Sequence, residues 1–192
     1  MARAGLTQER LTRAAAELAD DVGFEQVTVS AVARLFDVKA ASLYSHLKSS
    51  QDLKTRIALL ALEEMANLAG EAVAGRAGRD ALIAFANAYR DYAEAHPGRY
   101  AAARMPLDAD TAVASAGPRH TQMMQAILRG YHIAEPEQVH AIRLMGSVFH
   151  GYASLEMSGA FSHSSPDPQQ SWMRTLDALD SLLTNWPAES PA

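Results

Sequence analysis

The chain has no cysteine. That excludes a disulfide framework, a thiolate nucleophile and any metal site built on cysteine sulfur. The seven histidines are scattered, with no His-x-x-x-His pair and no histidine–carboxylate cluster, so no metal site is expected. No run of about 18 uncharged apolar residues occurs, so no membrane span is expected. The first residues hold no long apolar stretch ahead of a small-residue cleavage site, so no signal peptide is expected and a cytoplasmic protein fits. A Gly-rich phosphate loop and a G-x-S-x-G elbow are also missing. Acidic pairs such as Glu63-Glu64 fall on helix faces where solvation is the default. No catalytic residue and no cofactor is assigned, and enzymatic activity is not expected.

A basic excess is absent too, since the net charge is −5. Its distribution says more than its total. Residues 1–56 hold 8 Lys/Arg and 7 Asp/Glu, whereas residues 57–192 hold 9 and 15. Phosphate affinity needs a local basic face, not a basic protein. Arg3, Arg10, Lys39, His46 and Lys48 could supply one, although a moderate charge run is more often a solvated face. With 48% hydrophobic residues in 192, the chain can bury a sizeable core as one long domain or two smaller ones.

The sequence is organised around Thr28 to Leu47, TVSAVARLFDVKAASLYSHL. Ala31, Val32, Leu35 and Phe36 place apolar residues on one face of a helix expected over about Val29–Phe36. Asp37-Val38 breaks the pattern. Asp tolerates a left-handed backbone and suits a corner. Leu43 and Leu47 repeat at i, i+4 on a further helix over about Lys39–Leu47, and Val38 would plug the corner. This is the pattern of a helix-turn-helix, whose second helix can lie in the DNA major groove. An ordinary αα-hairpin in a helical core has the same spacing.

The flanks favour the former. A-A-x-E-L-A-D-D-V-G-F, then T-V, V-A and D-V-K-A-A-S-L-Y-S-H-L-K-S-S-Q-D-L, resembles the DNA-binding domain of the tetracycline-repressor (TetR) family over about the first third of the chain. The family often has Gly where this chain has Asp37. H-P-G-R-Y at 96–100 and H-G-Y-A-S-L-E-M-S-G-A-F at 150–161 look like the C-terminal ligand-binding domain of one subgroup, which usually carries Trp where Gly146 stands here. The resemblance implies that Thr28 caps its helix and touches a DNA phosphate. It also implies that Tyr44 and Lys48 bind the DNA backbone, and that the long helix after Ser50 is the lever between ligand site and head. Repression is the family's usual mode.

The remaining pattern is helical throughout. A first helix runs over about Thr7–Val22, after a mobile arm over Met1–Gly5, and ends at Gly23. Ser49 with Asp52 forms a capping box opening a helix from Ser50 to about Ala74. Further helices fall at about 79–95, 98–104, 118–130, 135–158 and 168–185, with a loop over 105–117 that can hold a turn of helix. Gly146 and Gly151 lie mid-helix, where each costs about 1 kcal/mol against Ala, so a close approach is expected there. Trp172, Leu176, Leu179, Leu183 and Trp186 recur at steps of four and three, a knobs-into-holes seam.

The expected fold is therefore all-α with about nine helices. A three-helix helix-turn-helix head over 1–48 precedes a ligand-binding and dimerisation body over 49–192. Candidate DNA contacts are Thr28, Lys39, Ala40, Ala41, Ser42, Tyr44, Ser45, His46 and Lys48. Lys39 can donate to guanine O6/N7 or to phosphate, and Ala40 and Ala41 can touch thymine methyls. With so few long side chains, part of the specificity is expected from DNA shape. Candidate effector contacts are Phe85, Tyr89, Tyr92, Arg104, Met105, His120, Met123, Met124, Phe149, His150 and Tyr152, since a sensor pocket is mostly apolar with a few polar groups. Most of these side chains could equally be core, and His150 a satisfied core histidine. Phe149, Trp172, Leu176, Leu179 and Leu183 are the expected dimer seam. Together these describe a homodimeric regulator that leaves a palindromic operator when a small molecule binds. The alternative is a helical small-molecule- or protein-binding module with a vestigial head.

Overall fold

The computed structural model describes residues 6–187; the arm expected over Met1–Gly5 lies outside them. Ten α-helices and one 3-10 turn are present, with no strand among the described residues. They are α1 (Gln8–Val22), α2 (Val29–Leu35), α3 (Ala40–Leu43), α4 (Ser50–Val73), α5 (Gly78–Ala95), α6 (Pro97–Ala102), α7 (Ala109–Ala114), α8 (Gly117–Arg129), α9 (Glu135–Met157) and α10 (Pro168–Thr184). The all-α expectation holds. The extra helix is α7, which lies inside the stretch expected to be a loop with room for a turn of helix. Asp108 starts it by accepting from the Thr111 amide at 2.9 Å, and it buries none of its residues. With no apolar stripe to bury, it leaves no helical period to see in the sequence.

The described residues fold as two compact units, 6–64 with 95–116, and 65–94 with 117–187. In the first unit, Thr7 caps α1 by accepting from the Arg10 amide, and Gly23 at φ 91° ends it. Leu11, Ala15, Ala16 and Ala19 face inward from α1. Val29, Val32 and Ala33 of α2, Leu43, Leu47, Leu53, Ile57 and Ala58 close the same core. Leu35 departs from expectation, being 54% exposed while Ala33 is buried. Helix α2 is only two turns long, and at about 100° per residue the face through Val29, Val32 and Ala33 leaves its last residue outside. Asp37 turns the corner at φ 52°, the left-handed backbone that Asp tolerates. Val38 then folds back, its amide donating to the Ala33 carbonyl at 3.1 Å.

The α-helix expected over Lys39–Leu47 is regular only over Ala40–Leu43 and continues as turns, with the Leu47 amide bonded to the Leu43 carbonyl at 2.9 Å. The box opening α4 is reciprocal. The Asp52 amide donates to Ser49 Oγ at 3.0 Å, and Asp52 Oδ2 accepts from the Lys48 amide at 3.0 Å. Arg56 adds a bond to Asp52 at 3.1 Å and reaches Gln8 at 3.2 Å, tying the start of α4 to the start of α1. Burial pushes the Asp52 carboxyl up, but the Lys48 amide and the Arg56 guanidinium outweigh it and hold the group below its ordinary value of 3.8. A depressed carboxylate stabilises the fold above its ordinary value, and the contribution disappears as pH falls through the folded value. Asp52→Ala is expected to cost about 1–2 kcal/mol near neutral pH. Denaturant unfolding of both proteins across pH should show that gap closing below 3.8.

Helix α6 lies directly on α1. A Cβ on Gly98 would sit 1.9 Å from the Ala19 carbonyl oxygen, so the two backbones touch there. Asp20 then collects the end of the contact. Its carboxylate accepts from the Arg99 amide at 2.8 Å, lies 3.0 Å from Arg99 Nε and 3.2 Å from His96 Nδ1. Arg99 also reaches Glu64 of α4 at 3.2 Å.

In the second unit, α5 supplies Leu82, Phe85, Tyr89 and Tyr92 to the interior, as its spacing anticipates. Trp172, Leu176, Leu179 and Leu183 of α10 are all buried within the chain, Trp172 and Leu176 at 0% exposure, and Phe149 of α9 with them. The expected dimer seam is thus an intramolecular one. The same step-of-four-and-three pattern marks any buried helical stripe, and α10 spends it on its own neighbours. Gly146 and Gly151 meet no neighbour within 4 Å, so no contact inside the chain needs their small size. Two ion-pair clusters tie the unit. Arg79 pairs with Asp177 at 2.6 Å while Tyr131 donates to Asp180 at 2.6 Å. Arg90, half-buried against the rings of Tyr152 and Trp172, grips both oxygens of Glu156 at 2.7 and 2.6 Å.

Candidate functional site

The corner of α2 and α3 presents one face outward. Thr28 is exposed and caps α2, its Oγ1 accepting from the Ala31 amide at 3.1 Å. A hydroxyl has a second lone pair and a proton of its own, so a cap and a phosphate contact are compatible. Lys39 precedes α3 and is exposed, as are Ala41, Ser42, Ser45 and Lys48; Ala40 and His46 are half-buried. Tyr44 is 55% exposed, so it is no core aromatic. Ser45 Oγ donates to the Ser42 carbonyl at 2.8 Å, which occupies its proton but leaves its lone pairs. Leu43 and Leu47 are the buried counterweights, at 0% and 2% exposure. The short α3 and the turns that follow it, held from behind by two leucines, therefore offer two lysines, a tyrosine hydroxyl and two serines on the outer side. These groups bond phosphates and base edges. Arg34, exposed at the end of α2, is a further cation on this corner that sequence reasoning passed over.

The candidate effector residues divide between the units. Phe85, Tyr89, Phe149 and His120 come together in the second. Phe85 stacks on Tyr89 with centroids 4.7 Å apart and meets Phe149 at 6.2 Å. His120, 6% exposed, stands edge-on to Tyr89, and its Nδ1 shares a hydrogen bond with the Tyr89 hydroxyl. Tyr92 is buried in the same unit, Met123 and Met124 are half-buried, and Met123 Sδ lies beside Gly70. Tyr152 packs on Trp172 at 4.8 Å and donates to the Pro168 carbonyl. Burial and the Glu156 charge raise its pKa, so it stays a neutral donor. His150 is exposed on α9 with its Nδ1 3.3 Å from Ser154 Oγ, so it is not a core histidine. Arg104 and Met105 belong to the first unit, where they line a cleft with residues 22–26. The sequence marked both, but no spacing could show that the end of α1 would be their neighbour.

A helix-turn-helix with a polar, partly basic outer face, on a chain with a separate aromatic interior, defines a DNA-binding regulator. Comparison with known proteins agrees. The family model for bacterial regulatory proteins of the tetR family matches residues 11–55, and the tetracyclin repressor-like C-terminal domain matches residues 82–179. Two curated relatives are each 32% identical and described as uncharacterised HTH-type transcriptional regulators. Rv0681 of Mycobacterium tuberculosis covers 85% of this chain and 76% of its own, and YobS of Bacillus subtilis covers 95% and 96%. Among solved structures, ActR of Streptomyces coelicolor in complex with (S)-DNPA superposes with a TM-score of 0.67 at 17% identity, over 95% of this chain and 98% of that one, a likeness of fold. The chain belongs to the TetR family of transcriptional regulators. No helix among the described residues is long and apolar enough to cross a membrane.

Proposed function

We propose that this regulator is a cytoplasmic homodimeric repressor, with residues 1–48 as the DNA-binding domain and 49–192 as the ligand-binding and dimerisation domain. Each subunit presents Thr28, Lys39, Ala40, Ala41, Ser42, Tyr44, Ser45, His46 and Lys48 to one half of a palindromic operator. The observation that carries this is Tyr44, a large aromatic standing 55% exposed at the end of α3, between Ser42 and Lys48. Binding to the DNA upstream of its own gene tests it. Tyr44→Ala with Lys48→Ala is expected to weaken affinity about tenfold to a hundredfold. The slope of log affinity against log salt is expected to flatten by about one for each phosphate no longer neutralised. Folded wild-type protein that prefers no sequence at low salt would overturn the assignment.

The effector is a small molecule held by the aromatic interior of the second unit, with Phe85, Tyr89 and Phe149 as its apolar wall and the Tyr89–His120 pair as its polar contact. That ActR is known with (S)-DNPA bound supports an effector of this kind. Release from DNA requires the ligand to bind the released state more tightly than the DNA-bound one.

The dimer forms through the outward faces of α9 and α10, where Val139 and Leu182 are 49% and 44% exposed and Gly146 is open. The buried Trp172 stripe is left out of it. Small residues there let a second copy approach closely, so Gly146→Leu is expected to shift the protein to monomer in sedimentation velocity while each chain stays helical. An unchanged dimer would place the interface elsewhere.

A further inference from the structure

We propose that the first unit carries a small-molecule site of its own, a cleft between the end of α1 and the turn after α6 that takes an organic carboxylate with an apolar body. It is separate from the aromatic interior of the second unit and does not depend on the effector reading. The cleft is an open surface groove with a volume of about 480 Å3, within the range of small-molecule sites. Val22, Phe24, Met105 and Pro106 give it apolar walls. Gly23 turns at φ 91° with open space beside it, so no side chain fills the floor at that point.

Arg104 supplies the charge. Its guanidinium lies over the Tyr100 ring, 5.1 Å from the centroid, with Nη2 3.4 Å from the Tyr100 hydroxyl. Among the described residues no carboxylate pairs with it, whereas Arg56, Arg79, Arg90 and Arg99 each hold one. The aromatic face orients the planar fork, and beyond the Nη2 bond to Tyr100 its other donors hold no carboxylate. Such a fork matches a carboxylate through two parallel bonds. The one acid in the lining, Glu25, is taken by Lys54 at 2.9 Å, and Lys54 in turn lies 5.0 Å over the Phe24 ring, so the cleft is not closed to an anion. The walls belong to the two elements that Gly98 and Asp20 join, so an occupant bears on how α6 sits on α1.

The test is an NMR titration of the full chain carrying 13C-methyl methionine, with Met105 assigned through Met105→Leu. The probe is 4-phenylbutyrate, and its neutral counterpart is 4-phenylbutan-1-ol. A saturable movement of the Met105 methyl signal is expected with the acid, with Arg104→Gln weakening binding about tenfold and the alcohol binding at least as weakly as that variant. Ala101→Phe, which fills the cleft from an exposed position, is expected to abolish the movement without unfolding the chain. Three results would each overturn the proposal. One is no saturable Met105 shift at about 5 mM acid. Another is equal binding of acid and alcohol. The last is a response confined to Met123 and Met124 of the second unit.

Discussion

Gly98→Ala is expected to destabilise the first unit by at least about 3 kcal/mol, at the severe end of overpacking substitutions. An added methyl would lie 1.9 Å from the Ala19 oxygen and 2.0 Å from its carbonyl carbon. Neither atom is a flexible side-chain end. Both are α1 backbone, on the face whose Ala15, Ala16 and Ala19 are 0% exposed. Relief can come only from lifting α6 off α1, which also breaks the Arg99 amide bond to Asp20 at 2.8 Å and strips Asp20 of Arg99 and His96. Half-buried and unpaired, that carboxylate costs further. Two measurements check this: a lowered denaturation midpoint, and faster hydrogen exchange of the Arg99 amide than in the wild type. A wild-type midpoint would mean that α6 rides on α1 more loosely than the geometry indicates.

Trp172→Ala is expected to cost about 3–5 kcal/mol in the second unit, the range for emptying a fully buried large aromatic site. The ring is 0% exposed and touches Phe149 and Tyr152, with centroids at 6.3 and 4.8 Å. Its Nε1 donates to Asn87 Oδ1 at 2.7 Å, and the Arg90 guanidinium rests 5.4 Å above it. Truncation therefore opens a cavity, orphans the Asn87 oxygen and exposes one side of the Arg90–Glu156 pair at once. Trp172→Phe keeps most of the packing and removes the bond to Asn87, so it should fall well short of the alanine cost. Thermal unfolding followed by circular dichroism separates the two variants. Equal destabilisation by both would mean that the hydrogen bond, not the volume, holds this end of α5, α9 and α10.

The same two regions show what could be read in the linear chain. Caps and corners were legible because their chemistry is local. Thr7, Thr28, Ser49 with Asp52, and Asp37 each act within four residues of themselves, and each adopts the geometry that its side chain prefers. Helix periods were legible wherever a long apolar stripe was buried, as in α5 and α10. Short α2 gave too few turns to resolve its inner face, and Leu35 came out exposed. Of the candidate site, the outer side of the turns after α3 was legible from polar residues set between Leu43 and Leu47.

The helical class, the corner at Asp37 and the polar face around Tyr44 are written in the linear chain, because they follow from side-chain period and from bonds made within a turn. Which apolar stripes face the chain's own core was settled by packing alone. Trp172, Leu176, Leu179 and Leu183 have the spacing of a seam, and spacing does not say whether the partner is the same chain or another. Packing also brought Gly98 to Ala19, gave Arg99 to Asp20, and set Arg104 with Val22 and Phe24 around one cleft. Those partners lie some eighty residues apart, and nothing local marks a pair that only the folded chain brings together.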